Sequence, residues 1–291
     1  MMLYYLYRAG SCLAKAFPNK VCYAIADLIA RIYYSISGAD RASIRENLKV
    51  VLGPGVEEKV MKRHVLSLFR NFAKYLVDFF KFPRFTREEV FGRVKISGIE
   101  RLDKCLSQGK GVILVSMHLG NWEMAGAVLG ALGYAVNAIA LEHGNKKVND
   151  FFVSQRAING LKVIPLGIQV KQCFKVLKRN EILGIIGDKD YTSNGEYVDF
   201  FGKKALIPKG PAVFALRTGA PIVVCAFIRN PDDSFEYTFE TPEKYEPSGD
   251  ESRDIEALMG GYIRIMESFI KEHPDQWYAF RRVWEQETTT R

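Results

Sequence analysis

The chain is short of cysteine and has no pair of cysteines in a metal-binding spacing. Its five (Cys12, Cys22, Cys105, Cys173 and Cys225) are odd in number, widely spread and free of any Cys-x-x-Cys. A disulfide framework and a thiolate zinc site are therefore excluded as organising devices, and a reducing compartment fits. No stretch of 18 uncharged apolar residues occurs, so a clean transmembrane helix is not expected. No apolar run near the N-terminus ends in a small-residue cleavage site, so no secretory signal is read there. Internal repeats, low-complexity tracts and long linkers are absent. So is Gly-x-x-x-x-Gly-Lys-Ser/Thr, which excludes a nucleotide P-loop.

Acidic residues are also scarce, but in one part only. Residues 1–91 hold 15 Lys and Arg against 8 Asp and Glu, while residues 92–291 hold 26 against 25. Nearly all of the net charge of +8 thus lies in the first third. Such a region suits a polyanion or an anionic membrane surface. It carries no Gly/Arg repeat and no aromatic ribonucleoprotein motif, so nucleic acid ranks low as a partner.

What is present is apolar residue in quantity. At 48% hydrophobic and 12% aromatic, 291 residues can bury a sizeable core in one large α/β domain or two modest ones. Residues 3–17 and 20–37 read as apolar helices. The second is broken by Asp27 and Arg31, which suits a helix lying in a membrane interface better than one crossing it. Tyr4, Tyr5, Tyr7, Tyr23, Tyr33 and Tyr34 are of the type that gathers at headgroup depth; an ordinary helical hairpin packed on the core is the competing reading. A helix over Asp40–Leu52 sets Arg41, Arg45 and Lys49 in one basic row. A longer one over Val56–Phe80 carries a core stripe of Val65, Leu68, Phe69, Phe72, Leu76, Phe79 and Phe80, and Pro83 is expected to end it.

From residue 94 the period changes. Short apolar runs (94–96, 112–115, 135–141, 163–165, 182–187) alternate with helical segments at 99–108, 120–132, 146–159 and 168–179. That alternation predicts an α/β fold with a mainly parallel central sheet flanked by helices. Strands at 197–200, 221–227 and 235–239, a helix at 209–218 and a last long helix over Glu251–Lys271 complete it. We read residues 1–91 as an N-terminal helical, membrane-associating region and 92–291 as a catalytic domain.

The chemistry centres on Gly111–Met124. Val112–Val115 reads as a strand buried on both faces, and His118 falls where it hands over to a helix, the edge at which open α/β sheets place ligands. Glu123 follows five residues later. On one helix the two side chains would point about 140° apart, but with His118 in the turn they can meet. A carboxylate on one imidazole nitrogen leaves the other free to act as a base. A helix-capping histidine and a surface glutamate are the bland alternative.

Other candidates carry weaker patterns. Arg156, near the end of a helix, suits phosphate or carboxylate; most arginines are simply surface residues. Gly187-Asp188-Lys189-Asp190 follows a buried strand. Its two aspartates fit substrate contact or an ion pair better than a metal, for which no supporting ligand set is found. Lys209, before a helix start at Pro211, can place an anion at that N-terminus. His273-Pro-Asp-Gln-Trp-Tyr-Ala-Phe-Arg281-Arg282-Val-Trp is a basic, aromatic ending. It either packs on the sheet or turns one of the two arginines towards the site.

Together these blocks resemble the lipid A biosynthesis acyltransferases, the lauroyl and myristoyl transferases within the lysophospholipid/glycerolipid acyltransferase superfamily. His118-x4-Glu123, Arg156, Gly187-Asp188-Lys-Asp190 with Val198–Gly202, Leu216–Val224 and the His-Pro-x-Gln-Trp…Arg-Arg ending carry the resemblance, with Asn47-Leu48 near the start. It implies His118 as general base with Glu123 orienting it, acting on an acyl thioester. Arg156 would bind phosphate, Asp188 would position donor or acceptor, and Asp190, Lys209, Arg281 and Arg282 would contact substrate. Backbone N–H groups near Gly120 would steady an oxyanion. The implied donor is acyl carrier protein or acyl-CoA and the acceptor a lipid or glycolipid. The implied place is the cytoplasmic face of the bacterial inner membrane, with no metal or tightly bound cofactor. From the residues alone, a metal-dependent phosphoesterase using His118, Asp188 and Asp190, or a non-catalytic membrane-binding protein, stays open.

Overall fold

The apolar runs between residues 94 and 240 become the strands of one twisted sheet, and the site is built on its edge. A computed structural model describes residues 2–81, 86–166, 170–190 and 194–284. The N-terminal helices are α1 (Met2–Ala16), α2 (Asn19–Ile36), α3 (Gly38–Leu52), α4 (Glu58–Lys81) and α5 (Arg87–Arg93). There follow β1 (Val94–Ser97), α6 (Ile99–Leu106), β2 (Val112–Ser116), α7 (Trp122–Ala131), β3 (Val136–Ala140), α8 (Lys146–Ala157), β4 (Lys162–Pro165), α9 (Val170–Lys178) and β5 (Ile182–Ile186). The chain closes with β6 (Glu196–Phe200), β7 (Lys203–Ile207), α10 (Gly210–Thr218), β8 (Ile222–Arg229), β9 (Phe235–Glu240) and α11 (Glu251–Glu272). Pro83 and residues 168–169 of the expected helix lie outside the described residues.

Seven strands form the sheet in the order β1-β9-β8-β2-β5-β3-β4. Neighbours run parallel except β8 and β9, which are antiparallel. The α/β class and the mainly parallel sheet expected from the alternation are thus present. All eight residues of β8 are buried, as a strand covered on both faces requires. One face packs against α9, α10 and α11 through Val115, Ile185, Val224, Met266 and Ile270. The other packs against α6 and α7 through Leu114, Val223, Leu102, Val128 and Leu129.

Two elements depart from expectation. β7, which no apolar run announces, pairs with β6 as a separate antiparallel hairpin. Its Lys203 and Lys204 face solvent, while Ala205 and Ile207 are buried. The short, polar α5 has no apolar stripe to announce it.

The stripe of α4 does enter the core: Val65, Leu68, Phe69 and Phe79 are buried, and Phe72, Leu76 and Phe80 partly so. The charges interrupting α2 find partners. Asp27 pairs with Arg31 at 2.8 Å and with Arg70 of α4. The basic row of α3 is spent locally as well. Arg45 donates to Glu58 at 2.8 Å, Lys49 pairs with Glu46 at 2.8 Å, and Arg41 donates to the Ser35 carbonyl at 2.9 Å. By contrast Val21, Ile25, Leu28, Ile29, Ile32 and Ile36 leave one face of α2 apolar and exposed. Among the described residues no helix is long and apolar enough to cross a membrane.

Candidate active site

Strand register places the reactive groups. β2 and β5 are adjacent and parallel, with Ser116 opposite Ile186. Pairing continues past the strands, where the Gly187 N–H donates to the Ser116 carbonyl at 2.8 Å. Two residues beyond each strand, His118 and Asp188 emerge side by side. His118 Nδ1 lies 2.8 Å from Asp188 Oδ1, and the His118 backbone N–H donates to Oδ2 at 3.1 Å. The Trp277 indole N–H donates to the same Oδ2 at 2.9 Å. Burial pushes the Asp188 carboxyl up, but the positive field of His118 and these donors outweigh it and hold the group below the usual carboxylate range. A carboxylate facing Nδ1 puts the proton there and leaves Nε2 as the basic nitrogen.

The acid on His118 is therefore Asp188, where the spacing had pointed to Glu123. Glu123 sits in the first turn of α7 and spends both oxygens on Arg156. Arg156 Nε donates to Oε2 at 2.9 Å and Nη2 to Oε1 at 2.6 Å. The same pair corrects the reading of Arg156, whose fork is filled by Glu123 rather than held open for phosphate. It joins α7 to α8 with side chains only 6% and 13% exposed. A pair so deep is costly to break on one side.

The turn carrying His118 is fixed by backbone and cap. Gly120 has φ +62°, and a Cβ there would fall 2.0 Å from the Phe227 carbonyl oxygen, so only glycine fits. Its N–H donates to the Gln276 carbonyl at 2.9 Å, and the Asn121 N–H to the Phe227 carbonyl at 2.8 Å. These two N–H groups, at the place where an oxyanion site was expected, are thus committed to the fold. Asn121 caps α7 by accepting from the Met124 N–H at 3.0 Å. Its amide donates at 3.0 Å to Asp78, a buried carboxylate that also pairs with Arg229 and accepts from the Tyr23 hydroxyl at 2.6 Å. This cluster ties α2, α4 and β8 to the turn bearing His118.

Beside His118 opens a cavity of about 690 Å³, within the range of small-ligand sites. Leu114, Val136, Ala138, Leu161, Phe174 and Phe214 line its apolar body. His118, Trp122, Glu123 and Arg156 line it as well, together with Lys189, Asp190 and Lys209. Gly184 lies among them and brings no side chain into the space. A histidine paired with a carboxylate thus stands at the rim of an apolar cavity, on a strand edge.

The model of the bacterial lipid A biosynthesis acyltransferase family matches residues 1–286. The chain belongs to that family. It is 27% identical to the phosphatidylinositol mannoside acyltransferase of Mycobacterium tuberculosis over 290 residues, 96% of this chain and 87% of that protein. The protein of that name from Mycolicibacterium smegmatis is 27% identical over 284 residues, 96% and 90% of the two chains. The lipid A biosynthesis palmitoleoyltransferase of Escherichia coli is 24% identical over 189 residues, 64% and 60%. The protein is an enzyme, an acyltransferase.

The remaining candidates of this acyltransferase fall in different places. Asp190 lines the cavity, and its Oδ2 accepts from the Gly195 N–H at 3.0 Å. Lys209 precedes α10 without a side-chain cap and pairs with Glu196 at 3.0 Å. Burial and the neighbouring Arg281 push the Lys189 ammonium below its ordinary value, against the pull of Asp188. The charge of Arg281 thus reaches Lys189 and that of Arg282 reaches Glu46, on a backbone that is not helical. Asn47 anchors that stretch. It donates to the carbonyls of Ala279 at 2.9 Å and Arg281 at 2.7 Å, and accepts from the Val283 N–H at 3.0 Å. Among the described residues no three His, Cys, Asp or Glu side chains gather to hold a metal ion. Sequence reasoning missed Trp277 as a member of the site; its only local sign was membership of the closing motif.

Proposed function

We propose that this acyltransferase moves a fatty acyl chain from an acyl thioester to a hydroxyl of a lipid A precursor or related glycolipid at a membrane. The observation that carries the reading is the His118–Asp188 pair at the rim of the apolar cavity. His118 Nε2 takes the acceptor hydroxyl's proton as the oxygen attacks the thioester carbonyl. The C–S bond then breaks, and the imidazolium returns the proton to the leaving thiolate. Asp188 holds Nδ1–H and balances the imidazolium charge, a role first assigned to Glu123. Base assistance of this kind is worth about 10²–10⁴ in rate. The Glu123–Arg156 pair fixes α7 against α8 and so shapes the cavity that takes the acyl chain.

Acyl carrier protein and acyl-CoA share a thioester on an anionic carrier. Lys189 and Lys209 line the cavity, Arg281 lies near enough to act on Lys189, and this basic charge suits such a carrier. The relatives are named for phosphatidylinositol mannoside and for lipid A, which are both glycolipids, and that supports a glycolipid hydroxyl as acceptor here. Residues 1–91 serve as the membrane-associating region and 92–291 as the catalytic domain. The apolar face of α2, with Leu28 at 60% and Ile36 at 75% exposure, supports an interface at the cytoplasmic leaflet of the inner membrane, where both carriers are found.

The test uses the full chain on vesicles holding a glycolipid acceptor, with acyl-CoA and acyl carrier protein supplied separately and products read by mass spectrometry. The wild type should form the acylated glycolipid in the presence of a chelator, and His118→Ala should not. Undiminished transfer by His118→Ala would refute the reading.

A further inference from the structure

We infer that Trp277 is a positioning residue of the transfer reaction: its indole N–H sets the plane of Asp188 and so aims the carboxylate at His118. The inference rests on the acyl-transfer reading above. A carboxyl group turns about a broad sp³–sp² torsion, and one contact with an imidazole does not fix its plane. Here Oδ2 receives two donors, the His118 backbone N–H at 3.1 Å and the Trp277 indole at 2.9 Å. That leaves Oδ1 turned to Nδ1. One of these donors belongs to the base itself, so the indole is the outside reference for the acid.

Trp277 is well held for that task. It is 1% exposed, and its ring packs against Phe200 and Trp284 with centroids 6.1 Å from each. Its backbone forms an antiparallel bridge with Leu119. On either side, Gly120 donates to the Gln276 carbonyl at 2.9 Å and Tyr278 to the His118 carbonyl at 2.8 Å. The segment bearing the indole is therefore an added short strand on the turn bearing the base. Gln276 anchors it by bonding both backbone groups of Arg229, at 3.0 and 2.8 Å.

Trp284 supplies the internal comparison. It is 9% exposed, and its indole donates to the Phe200 carbonyl at 3.0 Å. Buried indoles commonly find such a backbone acceptor. Trp277 is spent instead on the acid that touches the base, where a hydrogen bond to a charged group is stronger.

Trp277→Phe keeps an aromatic ring and deletes the donor. Its kcat should fall about tenfold to a hundredfold, the fold-change of losing a hydrogen bond to a charged group, while KM stays within about twofold. In the Asp188→Asn background the same change should cost almost nothing, because the group it positions is already lost. Trp284→Phe should keep kcat within about twofold at a comparable loss of thermal stability. Should Trp277→Phe fail to fold, benzothienylalanine at position 277 keeps the bicyclic shape and removes only the N–H, and the same fall in kcat is expected. Unchanged kcat in either 277 variant would overturn the inference, as would an equal loss in Trp284→Phe or additivity with Asp188→Asn. Full activity in His118→Ala would instead sink the transfer reading and this inference with it.

Discussion

The turn bearing His118 and the outer face of α2 break the usual rule of burial in opposite directions. Around the turn, polar groups are buried: Asn121 is 1% exposed, Asp188 3%, Glu123 5% and Arg229 7%. Each is bonded to a stated partner within the fold. On α2, apolar groups are exposed, Ile25, Leu28, Ile29 and Ile32 among them. Burying polar groups costs free energy unless they are hydrogen-bonded, so the first region is over-determined by its own network. An apolar face in water gains only from something outside the chain. On the proposed function, the first region fixes chemistry and the second recruits a membrane surface.

The largest test of that contrast is on the chemistry. His118→Ala should lower kcat by about 10²–10⁴ without displacing the enzyme from vesicles. A drop confined to vesicle binding would erase the distinction. Next in size is the network. Asp78→Ala leaves buried Arg229 with the partly exposed Asp233 as its carboxylate partner and should destabilise the fold by up to about 3–5 kcal/mol, read by urea unfolding. The exposed Arg217–Glu251 pair should contribute less than about 1 kcal/mol. Equal effects would show that burial around the turn is not what secures it.

The converse test is on α2. Leu28→Glu with Ile29→Glu should cut vesicle partitioning more than about tenfold, since burying each apolar side chain is worth about 1.5–3 kcal/mol. Unfolding stability should move by less than about 0.5 kcal/mol. A large stability loss with unchanged partitioning would make the face part of the core.

The smallest effect concerns pH. Asp188 is held below its unfolded-chain value of about 3.9. Its stabilisation is thus complete above that value and fades as pH falls through the lower folded one. Asp188→Asn should therefore flatten the acid side of a thermal-unfolding series between about pH 5 and pH 2.

Most of the fold was legible because buried parallel strands are written as continuous apolar runs: Val112–Val115, Ile182–Ile186 and Ile222–Phe227 each mark themselves. β7 was hidden because its first two residues, Lys203 and Lys204, face water. In the site, His118 was found because a run that stops at a polar residue marks a strand end. Its partner was misread because local spacing favours Glu123, whereas Asp188 arrives through the register of two strands 70 residues apart in the chain. That register held a usable clue: both residues lie two positions past the ends of neighbouring strands. Trp277 offered none of this kind, because an isolated bridge to Leu119 places it.

The most direct measurement is the His118 Nδ1 proton in nitrogen-15 NMR spectra of the wild type, Asp188→Asn and Glu123→Gln. A strongly hydrogen-bonded Nδ1–H resonance should be present in the wild type, lost in Asp188→Asn and retained in Glu123→Gln. Retention in Asp188→Asn together with loss in Glu123→Gln would contradict the account and return the base to the acid five residues away.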